Sequence, residues 1–145
     1  MLRSGRAPLK TGVVENRLIL REQGDSFGNI FNHAGYRTGY IGKWHLGGDA
    51  NPRQGFHGFE HFQPWSNTGN HVNSGYWNNE KGEYTQTTEY NVTVMTDQAL
   101  EFIDRFRTQP FLLMVSMNPP HSNYFDAPQK YKDLYEGKTL KLRDN

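Results

Sequence analysis

The apolar residues of this chain gather in a few short segments, with long polar stretches between them. Phe27, Ile30, Phe31 and Ala34 recur at helical spacing, and Asp25 or Ser26 stands where a capping oxygen is needed. Gly35 is a natural stop, because glycine enters left-handed backbone without steric cost. Tyr36 to Ile41 then reads as a strand that ends at Gly42. A longer helix is predicted from Val92 to Phe106. Met95, Ala99, Phe102, Ile103 and Phe106 share one face, and Asp97, Glu101, Asp104 and Arg105 the other. Phe111 to Met117 is an almost unbroken apolar run, the pattern of a strand covered on both faces in a parallel sheet. A last short helix is predicted around Pro128 to Tyr135.

The remaining segments give weaker signals. Residues 1–24 are polar and only weakly periodic. Residues 47–90, rich in Gly, Asn, His and aromatics, read as a long loop region. One hairpin is expected there, around Tyr76 to Tyr84, turned by Glu80-Lys81-Gly82. Helix, strand, loop, helix, strand predicts α/β architecture. Two strands do not make a stable sheet. Further strands are therefore expected within residues 1–24 and 66–90, or the sheet is incomplete.

Composition narrows the classes. The chain has 145 residues, enough for one compact domain, but only 34% are hydrophobic. Mean hydropathy is −0.86, polar for an independent globule, so a piece of a larger domain fits as well as a complete one. Net charge is +1 and no basic stripe stands out, which argues against nucleic acid. No apolar run is long enough to span a membrane. Residues 1–12 lack the apolar core of a secretory signal. There is no cysteine, hence no disulfide, no Cys-ligated zinc and no thiol nucleophile. Asn91-Val92-Thr93 matches the glycosylation sequon and is read as a chance match.

Two histidine-bearing loops carry the candidate chemistry. Gly42-Lys43-Trp44-His45 follows the first strand, and Asn118-Pro119-Pro120-His121 follows the second. In open α/β sheets, ligands bind at the carboxyl ends of strands. Lys43 and His45 lie two apart, so on extended chain they point the same way. A fixed cation beside an imidazole suits an anionic oxygen ester. His121 follows two prolines that limit where its ring can point, and there it could protonate a leaving oxygen. The blander reading is a surface lysine with two packed histidines. His33, His57, His61 and His71 look less useful. His33 is expected to be exposed on a short helix. His57 and His61 have helical ligand spacing, but Gly58 and Phe59 argue against a helix. Asp25, Asp49 and Asp126 are isolated carboxylates, so sequence neighbours do not build a hard-cation cage.

The stretch Gly35-Tyr36-Arg37-Thr38-Gly39-Tyr40-Ile41-Gly42-Lys43-Trp44-His45-Leu46-Gly47 resembles the second signature of the sulfatase family. Gly55-Phe56-His57-Gly58-Phe59 is similar to the Gly-Phe-Asp segment after it. Thr96 to Ile103 resembles the family's long helix, Pro110 to His121 its strand ending in Pro-His, and Ala127 to Asn145 the run that follows. The resemblance is strongest over residues 25–145. It implies that residues 1–145 are a partial sulfatase catalytic domain holding part of an alkaline-phosphatase-like sheet with flanking helices. The implied reaction is hydrolysis of sulfate esters through formylglycine beside calcium. By motif position, Lys43 would bind sulfate and His45 would hold or deprotonate the formylglycine hydroxyl. His121 would contact sulfate and assist the leaving oxygen. Family members are often secreted, periplasmic or lysosomal.

The match breaks at the N-terminus. Aligning Arg6 and Thr11-Gly12 on the first signature puts Leu2 at the nucleophile and Ser4 at its proline. Leucine has no nucleophilic atom and does not become formylglycine. Arg6 still matches the arginine that supports the modified residue. The family's metal-binding Asp-Asp pair is not in the chain. Asp144-Asn145 is not its later metal pair, since Leu142-Arg143-Asp144-Asn145 resembles a segment preceding that pair. The isolated chain is therefore expected to be inactive and to bind no calcium. Three alternatives remain. One is a non-catalytic remnant binding an anion or sulfated glycan through Arg6, Lys43, His45 and His121, with Trp65 or Trp77 stacking on sugar. Another is a phosphoesterase of the same superfamily, and the last a truncated product without function. The partner expected is a sulfate-ester small molecule or sulfated glycan. Open sheet edges would invite oligomerisation.

Overall fold

The computed structural model describes residues 5–15, 18, 20, 26–44, 46, 56–62, 70–78 and 82–144, with 57–62 described by backbone alone. Short helix α1 (Pro8–Thr11) opens the described chain with proline in its first turn, where a missing N–H costs nothing. Helix α2 (Phe27–His33) is capped by Ser26, whose Oγ accepts from the Asn29 N–H at 3.2 Å. Gly35 follows at φ +85°, as its stop position requires. Asp25, the alternative cap, lies outside the described residues. The apolar stripe expected to bury α2 is largely exposed instead: Ile30 is 49% accessible, and Phe27 and Ala34 are also exposed. The helix lies against β1 through little of that face.

Five strands form one mixed sheet in the order β4-β3-β2-β1-β5. They are β1 (Arg37–Gly42), β2 (His57–Phe62), β3 (Ser74–Asn78), β4 (Glu83–Thr87) and β5 (Phe111–Ser116). β1 pairs in parallel with both β2 and β5, while β2–β3 and β3–β4 are antiparallel. The long loop expected over 47–90 is thus corrected: it contains an interior strand at 57–62. Its Gly and His residues hid the signal, because neither belongs to the β-branched alternation that marks a strand. The zinc reading of His57 and His61 required a helix, and the backbone there is a strand. The hairpin is real and longer than expected. Gly82, at φ +68°, donates its N–H to the Asn78 carbonyl at 2.8 Å and closes the turn. The strands expected in residues 66–90 are present. Among the described residues of 1–24 there is none.

β1 is buried on both faces, and the alternation of its side chains explains how. Tyr40 faces Trp44 and Phe56, with Leu112 and Met114 of β5 and Leu20 packed around them. On the other face stands Gly39, over which the Phe102 ring of helix α3 (Asn91–Phe106) lies. Without a Cβ at 39, that ring approaches the backbone closely. Met95, fully buried, anchors the first half of α3. Ile103 belongs to the predicted apolar face yet is exposed, and Gln98 is buried there instead. β5 is only half covered, with Val115 39% accessible. The expectation of burial on both faces fails because the described elements lying over β5 cover its faces only in part. A short 3-10 turn (Tyr124–Asp126), helix α4 (Gln129–Lys132) and a second 3-10 turn (Asp133–Tyr135) complete the chain where the last helix was predicted.

Candidate functional site at the loop end of the sheet

Strand directions make the two ends of the sheet unlike. β1, β2 and β5 all finish at one end. Antiparallel β3 begins there and β4 returns there, because Gly75 pairs with Phe62 and Ser74 with Thr87. Helix α3 begins just after β4, so its N-terminus adjoins the same end. Its other end returns through Pro110, whose carbonyl accepts from the Arg37 N–H at 2.9 Å, where β1 starts.

Lys43 and His121 are brought to this loop end. The Lys43 N–H donates to the Ser116 carbonyl at 2.8 Å, joining the first loop directly to the end of β5. The Tyr40 hydroxyl donates to the Lys43 carbonyl. Trp44 packs its ring edge-on to Tyr40 with centroids 5.3 Å apart, so the backbone before residue 45 is held on both sides. Gly42 makes that approach feasible: it sits at φ +114°, and a Cβ would overlap the Ser116 carbonyl. Lys43 is half-buried, and loss of solvent around its ammonium lowers its pKa from the ordinary 10.5.

His121 is exposed, with Nδ1 3.1 Å from the Ser122 Oγ. Its N–H donates to the Asn118 carbonyl at 3.2 Å. Asn118 is 5% accessible, and neither Nδ2 nor Oδ1 has a hydrogen-bond partner among the described residues. Arg6 is exposed ahead of α1, carried by an element apart from the two loops. His45 and Leu2 lie outside the described residues. So does Trp65. Trp77 lies toward the turn end of β3 with its ring 6.0 Å from Tyr84, away from Lys43 and His121, which counts against its stacking on a sugar held between them.

Sequence reasoning passed over His71. It is 2% accessible and sits at this loop end, between Asn91 and the His121 loop. Asp126, read as an isolated carboxylate, accepts from the His71 N–H at 2.7 Å. These partners lie 20 to 55 residues apart, and no local pattern announces such a pairing. Nearby, burial pushes the Tyr90 phenol up, and Tyr131 and Asp126 add to the shift.

Comparison with known proteins agrees with this arrangement. The family model described as Sulfatase matches residues 1–145. The chain belongs to the sulfatase family. An ulvan-active sulfatase of Formosa agariphila is 31% identical over 99% of the chain and 29% of its own length. An N-acetylglucosamine-6-O-sulfatase of Bacteroides thetaiotaomicron is 28% identical over 87% of the chain and 22% of its length. A solved sulfatase structure, YidJ from Bacteroides fragilis, superposes with a TM-score of 0.81 at 26% identity, covering 94% of this chain and 36% of that one. A second, BT4656 in complex with its substrate D-glucosamine-2-N,6-O-disulfate, gives 0.71 at 26% identity over 85% of this chain and 24% of that one. The mixed sheet with flanking helices is the alkaline-phosphatase-like fold of these neighbours. The chain spans about a third or less of the length of the sulfatases it matches.

Among the described residues, no three or more His, Asp or Glu side chains converge on a point that could hold a metal ion. Leu2, which motif alignment sets at the position of the modified residue, has no sulfur or hydroxyl to convert, and the chain has no cysteine. The described residues by themselves do not assemble a donor set for calcium.

Proposed function

We propose that this chain carries the sulfate-binding half of a sulfatase site and that its ligand is a sulfate ester on a sugar. The observation that supports this most is the Lys43 N–H to Ser116 carbonyl bond, which brings the two family loops to one end of the sheet. Lys43 supplies a point charge to the sulfate oxygens, and partial burial strengthens its attraction. His45, two residues on, adds a hydrogen bond. His121 donates to a further oxygen, the one that would leave in the family reaction. Arg6 is a second cation by motif position. The relatives are named sulfatases, one acting on N-acetylglucosamine 6-O-sulfate and one on ulvan, which favours sulfated sugars over phosphate esters.

By this reading the chain binds and does not turn over. Leu2 provides no nucleophile, so 4-nitrophenyl sulfate incubated with the pure chain and calcium should release no nitrophenol above buffer. Sustained calcium-dependent release would refute the inactivity. Binding is measured by calorimetry with inorganic sulfate and glucosamine 6-sulfate. Heat that disappears in Lys43→Ala supports the site. Heat unchanged by that substitution removes it.

A further inference from the structure

His71 has no part in the binding described above, yet four of its groups are engaged at once. Its N–H donates to Asp126 Oδ2 at 2.7 Å, and its carbonyl accepts from the Asn91 N–H at 2.7 Å. On the ring, Nδ1 lies 3.4 Å from Asn91 Nδ2, and Nε2 lies 3.1 Å from the His121 carbonyl oxygen. One residue earlier, Asn70 Oδ1 accepts from Asn123 Nδ2 at 2.9 Å. The start of β3, the first residue of α3 and the loop bearing His121 therefore meet at one imidazole.

The ring contacts select a protonation pattern. A carbonyl oxygen only accepts, so Nε2 must carry the hydrogen. An amide nitrogen only donates, so Nδ1 must present its lone pair. The neutral Nε2–H tautomer satisfies both. The His121 carbonyl is thereby fixed while its own ring stays in solvent. Fixing the backbone at 121 fixes the direction in which Cβ leaves it, and with it the small set of rotamers open to the imidazole.

We propose that His71 is a positioning residue for His121: its Nε2–H holds the His121 carbonyl and so fixes where the His121 side chain leaves the backbone at the loop end. The proposal rests on the reading of His121 as a sulfate contact for its purpose, but the clamp has its own readouts. In the full chain with nitrogen-15 histidine, long-range proton–nitrogen spectra should show His71 protonated on Nε2 alone; protonation on Nδ1 alone would overturn the clamp. Amide exchange over residues 118–127 gives the second readout. In His71→Gln the side-chain amide nitrogen takes the place of Nε2 and still donates, so exchange should stay within about twofold of wild type. In His71→Asn the shorter amide reaches only toward Asn91, and exchange should rise about tenfold, the loss of one buried hydrogen bond. A residue that merely filled space would raise exchange alike in both variants, and that result overturns the proposal. If both variants unfold, the tautomer decides alone. Sulfate titration separates the two readings. A sulfate response indifferent to His121→Ala removes the role of His121, while exchange still decides the clamp.

Discussion

Lys43 combines two demands on one side chain. It must be protonated to attract sulfate, and it is partly withdrawn from water, which lowers its pKa. Sulfate affinity should therefore hold below that lowered value and decline as pH rises through it, earlier than for an exposed lysine. Calorimetry across alkaline pH checks this. The same shift means the folded chain binds this proton less readily than the unfolded chain, so stability rises with pH between the lowered value and 10.5. Asn118 makes a prediction of opposite character. Its amide is buried with neither end partnered among the described residues, a cost of roughly 1–3 kcal/mol. Asn118→Leu, close in shape, should raise stability by about 1 kcal/mol in urea unfolding, and a destabilised variant would show that the amide has an unseen partner. Lys43, His45 and His121 stand out as candidates in the sequence because each sits in a local motif. His71 does not, because its partners come from distant segments and only the fold joins them.

At the scale of elements, β1 organises the rest. The close approach of Phe102 to Gly39 lets α3 seat on the sheet, and an added Cβ would meet that ring at 2.5 Å. Gly39→Ala should cost about 1–3 kcal/mol by overpacking. Met95→Ala, opening a cavity under α3, should cost about 2–4 kcal/mol. Urea titrations of the two variants give both numbers, and losses under half a kcal/mol would mean α3 is not seated this way. The strongly periodic α3 and the apolar run of β5 could be read from sequence almost to their ends. β2 could not. An interior strand usually declares itself by Val and Ile, whereas this one is His57-Gly58-Phe59-Glu60-His61-Phe62, recruited by pairing with β1 and β3. The exposed stripe of α2 and the half-covered β5 share a cause. Periodicity says which residues can be buried together, but burial depends on what lies opposite them.

Across the whole molecule, the sheet sorts chemistry from scaffold. The ends of β1 and β5, the start of β3 and the start of α3 meet at the loop end, so a ligand there touches several segments at once. Sulfate should then stabilise the folded chain by mass action, about 2.7 kcal/mol at a hundredfold excess over Kd. A thermal midpoint that rises with sulfate in wild type but not in Lys43→Ala would show it; equal shifts in both would mean a general salt effect. The hairpin turn closed by Gly82 lies at the other end, four residues of β3 away from Ser74, roughly 14 Å at the rise of a strand. That separation makes the turn a place to attach a fluorophore or splice in a short affinity tag, giving a handle that reports on the loop end without obstructing it.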